Sequence, residues 1–166
     1  MAGVEWTDSK VEAGGVKLHL SRAGKGRPIV VLHHETGTLD RLPFYDALAQ
    51  HCDVLVPHHP GYSKSQRPDW MRSVRDIAVI YRGLLSELGV HDASLVGLGF
   101  GGWIAAEMAS MAPADLSSLI LVTLPVLSTT MFSTTVPWNL AWRAASENWG
   151  SGVYVALGGR VSSLLT

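Results

Sequence analysis

Three short stretches hold the residues that could do chemistry. Two adjacent-histidine pairs, His33-His34 and His58-His59, each follow an apolar run, and a glycine-rich stretch from Gly97 to Gly102 joins another apolar run to a helix-like segment. An imidazole can take a proton from water or a hydroxyl near neutral pH, and the backbone N–H groups at a helix start can hold an anion. The glycine-rich turn offers no attacking group of its own, because its middle residue is Gly99. Adjacent residues of an extended segment point to opposite sides, so at most one histidine of each pair is expected to face a common centre. With Glu35 they supply candidate bases, but two well-placed ligands fall short of the three or four that zinc uses. No metal and no cofactor is expected. Cys52 precedes a strand-like run at the edge opposite these groups and reads as an inert small residue.

The elements that must position these residues alternate. Val16, Leu18 and Leu20 alternate after Gly14-Gly15, which predicts an antiparallel hairpin. PIVVL (Pro28 to Leu32) and DVLVP are wholly apolar or nearly so, as buried parallel strands are, and Pro43 suits the first turn of a helix between them. From Ser73 to Leu88 the residues Val74, Ile77, Ala78, Tyr81, Leu84, Leu85 and Leu88 fall at helical spacing, with Gly89 as the stop. SLV, the glycine turn, a helix to about Met111 and SSLILVT complete the alternation. The fold class predicted is α/β: a doubly wound, mostly parallel sheet with an antiparallel N-terminal hairpin, and with ligands at the C-terminal ends of the strands. Beyond Leu124 the texture changes, with Trp138, Trp142 and Trp149 on one helical stripe and a hairpin signal at Gly158-Gly159. The division expected is therefore a core over 1–124 and a Trp-rich extension over 125–166.

Composition excludes several classes of function. A chain of 166 residues, 47% hydrophobic and 16% charged, suits one globular core. A formal net charge of −1 leaves no surplus to displace counterions from nucleic acid. A single cysteine and a start, MAGVEWTDSK, without the layout of a signal peptide suit the cytoplasm. The best apolar run, LILVTLPVL, is short of the roughly 20 residues a membrane span needs, so no membrane segment is expected.

Three segments in order, LHHETG, HPGYSKSQRPDW and GLGFGGWIAAE, resemble the N-terminal half of the α/β-hydrolase fold family, over about Lys17 to Thr123. In that family the turn reads G-x-S-x-G, a nucleophile elbow. Gly97, Gly101 and Gly102 match it, and Gly99 stands vacant at the nucleophile position. The resemblance implies an oxyanion hole from the backbone N–H of Phe100 and one at Glu35, whose carboxylate would then lie beside an anion site. It also implies that His33 orders its loop and His58 bonds backbone. Relatives usually have glycine where this chain has Ser63. The family's base is a histidine after the elbow, yet the seven histidines here, at 19, 33, 34, 51, 58, 59 and 91, all precede it. Glu147 is the only acid after Asp115.

The expectation is a hydrolase of carboxylic esters or lactones by descent, without the usual triad, so that activity is weak or uses a water activated by His33, His34, His58 or His59. The alternative is a non-catalytic small-molecule binder, or a dimerising fragment whose frame was lost near Thr123. The partner expected is a small apolar ester-like molecule, with a homodimer through the Trp-rich tail as a further expectation.

Overall fold

The computed structural model describes residues 4–38, 42–123, 152–157 and 160–163. The stripe of Trp138, Trp142 and Trp149 and the acid Glu147 lie outside the described residues. Strands β1 (Trp6–Ala13) and β2 (Val16–Ala23) form the expected hairpin, turning at Gly14 and Gly15 with φ of 57° and 75°. The chain continues through β3 (Pro28–Leu32), α1 (Pro43–Ala49), β4 (Asp53–Pro57), α2 (Val74–Glu87), β5 (Ala93–Leu98), α3 (Phe100–Met111), a 3-10 turn (Pro113–Asp115), β6 (Leu116–Thr123), β7 (Gly152–Leu157) and β8 (Arg160–Ser163).

These strands make one sheet in the order β1-β2-β4-β3-β5-β6-β7-β8. Its centre, β4-β3-β5-β6, is parallel. The hairpin joins it antiparallel through β2 and β4, and β7 and β8 extend the other side antiparallel, so the sheet is mixed and its parallel part is confined to the middle. The β7–β8 pairing falls on either side of 158–159, where the Gly-Gly signal predicts a hairpin.

Period-two alternation sorts the central strands between two cores. Val30, Leu32 and Leu95 face α2 and α3 and pack with Tyr81, Leu84, Ile104 and Met108. Val31, Val54, Val56 and Val96 face the other way, against Tyr45 and Ala49 of α1. α2 starts at Ser73, whose hydroxyl accepts from the Asp76 N–H at 3.2 Å while the Asp76 carboxylate accepts from the Ser73 N–H at 2.8 Å. Among the described residues no helix is long and apolar enough to cross a membrane.

β3 leads on to β4 at one side of itself, and the chain then crosses to β5 on the other side. The ends of β3 and β5 thus form a topological switch point, where open α/β sheets have a crevice. At this point α3 starts almost in contact with β3. A Cβ at Gly101 would lie 2.1 Å from the Leu32 carbonyl oxygen, and one at Gly97 would lie 2.5 Å from the Gly102 Cα. Gly101→Ala must push the helix off the strand, and we expect a loss of about 1–3 kcal/mol in urea-unfolding stability. Unchanged stability would mean that the helix start is not seated as described.

Candidate functional site

Three loops meet at the crevice: residues 33–38 after β3, residues 58–65 after β4, and the turn at Gly99 after β5. Gly99 has φ 51° and ψ −114°, is buried, and sits at the N-cap of α3. Its N–H bonds to the Val122 carbonyl at 2.9 Å, and its own carbonyl accepts from the Gly102 N–H at 2.9 Å. This is the elbow shape without the side chain, in a conformation open to glycine and strained for other residues.

The four candidate histidines separate into distinct roles. His33 and His59 are both buried, with ring centroids 3.7 Å apart. The His33 Nε2 accepts from the His59 backbone N–H at 2.9 Å, which places its proton on Nδ1, and Nδ1 donates to the His34 carbonyl at 2.8 Å. The His59 Nε2 donates to the His33 carbonyl at 2.7 Å, leaving Nδ1 to accept from the Tyr81 hydroxyl at 2.5 Å. Obligate backbone donors and acceptors thus settle both tautomers as neutral, with every ring nitrogen engaged. Burial pushes His33 below its ordinary value and pushes His59 down to about 3, with the neighbouring His33 a smaller cause. These two rings form a latch between the ends of β3 and β4, and neither has a lone pair to offer as a base. His33 orders the loop, as the resemblance implies.

His58 is buried edge-on to His19, with centroids 4.6 Å apart, and its backbone N–H donates to the His19 carbonyl at 2.9 Å. It lines a separate cavity of about 430 Å³ with Asp8, Tyr45 and Ser63, none of which belongs to the elbow. Ser63 holds φ 49°, the left-handed conformation that explains why glycine is usual there.

His34 and Glu35 flank the vacant position. A Cβ built on Gly99 would lie 3.2 Å from the His34 Cβ and 2.9 Å from Oε2 of Glu35. The same Oε2 accepts from the Phe100 N–H at 3.4 Å, so the expected oxyanion donor already carries a carboxylate of the chain itself. A negative group is favoured at the start of a helix. The Glu35 carbonyl accepts from the Tyr62 hydroxyl at 3.0 Å, which holds the loop. His34 is partly exposed, and its Nδ1 accepts from the Thr36 hydroxyl at 2.5 Å and from the Thr36 N–H at 3.3 Å. An imidazole and a hydroxyl therefore stand in contact on the loop that flanks residue 99; the imidazole is one of the candidate bases, whereas the sequence pattern predicts no attacking side chain. Thr36 and Tyr62 fall within LHHETG and HPGYSKSQRPDW and Tyr81 on the helical stripe, but nothing in those patterns names their partners. The only trace of the new pair is the His-x-Thr spacing at 34–36, which brings two side chains together only in a turn.

Among the described residues, no group of three or more His, Cys, Asp or Glu is placed to hold a metal ion. Cys52 is partly exposed and lies before β4, away from the crevice.

The latch has a pH signature. The folded His59 takes a proton only near pH 3 against an ordinary value of 6.5, so the unfolded chain binds protons first as pH falls. Stability from this group is complete above about 6.5 and declines toward about 3, by at most about 1.4 kcal/mol per pH unit for one proton. We expect Tm to fall through that interval, and His59→Gln to be less stable at pH 7 yet to show a shallower fall. An equal slope in the variant would contradict the neutral latch.

The comparisons with known proteins agree on one family. A family model for the alpha/beta hydrolase fold matches residues 27–160. The chain is 30% identical over 118 residues to 2-hydroxymuconate semialdehyde hydrolase of Pseudomonas sp. (strain CF600), covering 68% of this chain and 42% of that protein. It is 28% identical over 117 residues to 2-hydroxy-6-oxo-2,4-heptadienoate hydrolase of Pseudomonas putida, with 68% and 42% covered. The chain thus spans less than half the length of these curated relatives. Among solved structures, epoxide hydrolase CorEH without ligand superposes with a TM-score of 0.69 at 24% identity, over 87% of this chain and 56% of that one. An esterase from Exiguobacterium antarcticum gives 0.64 at 22% identity, over 70% and 45%. The glycine-tight approach of helix to strand, the switch-point crevice and the matched span all point the same way: this chain belongs to the α/β-hydrolase fold family.

Proposed function

We infer that this protein takes a small apolar ester- or lactone-like molecule at the strand-end crevice and hydrolyses it slowly, by a route that does not use residue 99. The observation that supports this reading is the retained elbow, Gly99 with the Phe100 N–H turned to the crevice, with His34 beside it. A preorganised donor of this kind stabilises a developing oxyanion whatever group attacks. Of the four candidate bases, the His33 and His59 rings are engaged in the latch and His58 lines the other cavity, which leaves His34. Hydrolase names among the relatives support the reaction class.

A second reading, a binder without turnover, draws on the Glu35 carboxylate, which occupies the Phe100 donor that a substrate carbonyl would use. We place either form in the cytoplasm, on the single cysteine. A homodimer through the Trp-rich tail remains our proposal for assembly, and light scattering would show a persistent monomer if it is wrong.

A screen of p-nitrophenyl esters tests the first reading: turnover should saturate and exceed that of a mock purification from the same host. Turnover equal to the mock, with saturable thermal stabilisation by the amide analogue, would establish the binder. Gly99→Ser should lose about 1–3 kcal/mol of stability from its backbone conformation and gain little activity, because the new Cβ meets the Glu35 carboxylate and the His34 Nδ1 is already engaged by Thr36. Substantial esterase activity in that variant would count against the reading.

A further inference from the structure

We propose that Thr36 and His34 form a relocated nucleophile and base, carried by the loop after β3 and not by the elbow after β5. Three observations meet here. The Thr36 hydroxyl lies 2.5 Å from the His34 Nδ1. The Thr36 backbone N–H also points at that nitrogen, at 3.3 Å, so Nδ1 carries a lone pair and the ring proton is on Nε2, the tautomer a general base needs. The His34 Cβ lies 3.2 Å from the point where a Cβ on Gly99 would stand, and the Glu35 between the two partners reaches the Phe100 N–H, so the loop that carries the pair runs alongside the elbow. Thr36 is exposed and open to a substrate, in contrast to the buried His33 and His59.

The chemistry balances as an acyl transfer to water. The Thr36 oxygen attacks the ester carbonyl carbon, and His34 Nδ1 takes the hydroxyl proton. The carbonyl oxygen becomes an oxyanion that accepts from the Phe100 N–H, once the exposed Glu35 side chain has swung off that donor. The bond to the leaving alkoxide breaks, and His34 returns the proton to it. Water then attacks the Thr36 ester, giving up its proton through His34, and the carboxylic acid leaves with the threonine restored. The substrate class is an activated or strained carboxylic ester, because one donor and no downstream triad member assist the departure.

This inference rests on the ester-hydrolysis reading, and the experiment separates the two. The full-length chain is mixed with p-nitrophenyl acetate, quenched in acid and digested, and the acetylated residue is located by mass spectrometry. The expected result is acetyl on Thr36, retained in Thr36→Ser and absent in Thr36→Ala. Turnover should fall about 100-fold or more in both Thr36→Ala and His34→Gln. Unchanged circular dichroism confirms that the variants fold. Acetyl found only on lysines, or turnover untouched by Thr36→Ala, overturns the relocated pair while saturable turnover leaves the broader reading standing. No turnover in the unmutated chain, with or without binding of 4-nitroacetanilide, overturns both.

Discussion

No side chain fits between the first turn of α3 and the end of β3, and the arrangement of the crevice follows from that contact. With Gly101 against the Leu32 carbonyl and Gly97 against Gly102, the helix backbone comes as near to the sheet as it can. Its first N–H, that of Phe100, then meets the Glu35 carboxylate of the loop after β3. Backbone contacts of this kind do not adjust as side-chain packing does, so the donor at Phe100 stays aimed whatever residue occupies position 99. The loss of a nucleophile can therefore leave the scaffold intact, and glycine at a positive φ even eases it.

Burial decides what each histidine is for. Two imidazoles sealed between strand ends would have to shed their water to carry charge, and that cost holds them neutral. Once neutral, each ring has one donor and one acceptor, and His33 and His59 use them to bridge backbone groups at the ends of β3 and β4 and the Tyr81 hydroxyl. The latch fixes the loop that carries His34, Glu35 and Thr36. Its stiffness comes from complete hydrogen bonding, since a buried imidazole lacking any one partner would weaken the site it braces.

The exchange of Gly99 for a side chain has a second consequence. Space that a serine would fill is taken by the Glu35 carboxylate, drawn by the Phe100 N–H and the positive end of α3. A negative group at a site built for developing negative charge competes with substrate. The same loop presents a hydroxyl already hydrogen-bonded to an imidazole. One short segment thus both obstructs the inherited site and holds the groups that could replace its lost function.

The alternation of apolar runs with helical stripes made most of the fold legible from residues alone. α2 runs over Val74–Glu87 inside the Ser73–Leu88 stripe, α1 starts at Pro43, and the Gly14-Gly15 hairpin stands in register. The elbow was legible through its resemblance to the family's turn, and the glycines at 97 and 101 stand where the two backbones come closest. Apart from the loop-ordering role that the resemblance implies for His33 and the backbone bond it implies for His58, sequence could not assign the histidines their roles, since burial, tautomer and partner depend on residues such as Tyr81 and Phe100, distant in the chain and adjacent only when strands and helices close around them. The antiparallel joining of β2 to β4 was equally hidden, because strand direction is set by which edge the hairpin docks on, not by its own residues. Short-range periodicity thus determined which elements form, and the resemblance of the glycine turn to a nucleophile elbow marked where a nucleophile is missing. Only tertiary contact decided which imidazoles are locked, which carboxylate fills the gap and which hydroxyl lies within reach of a base.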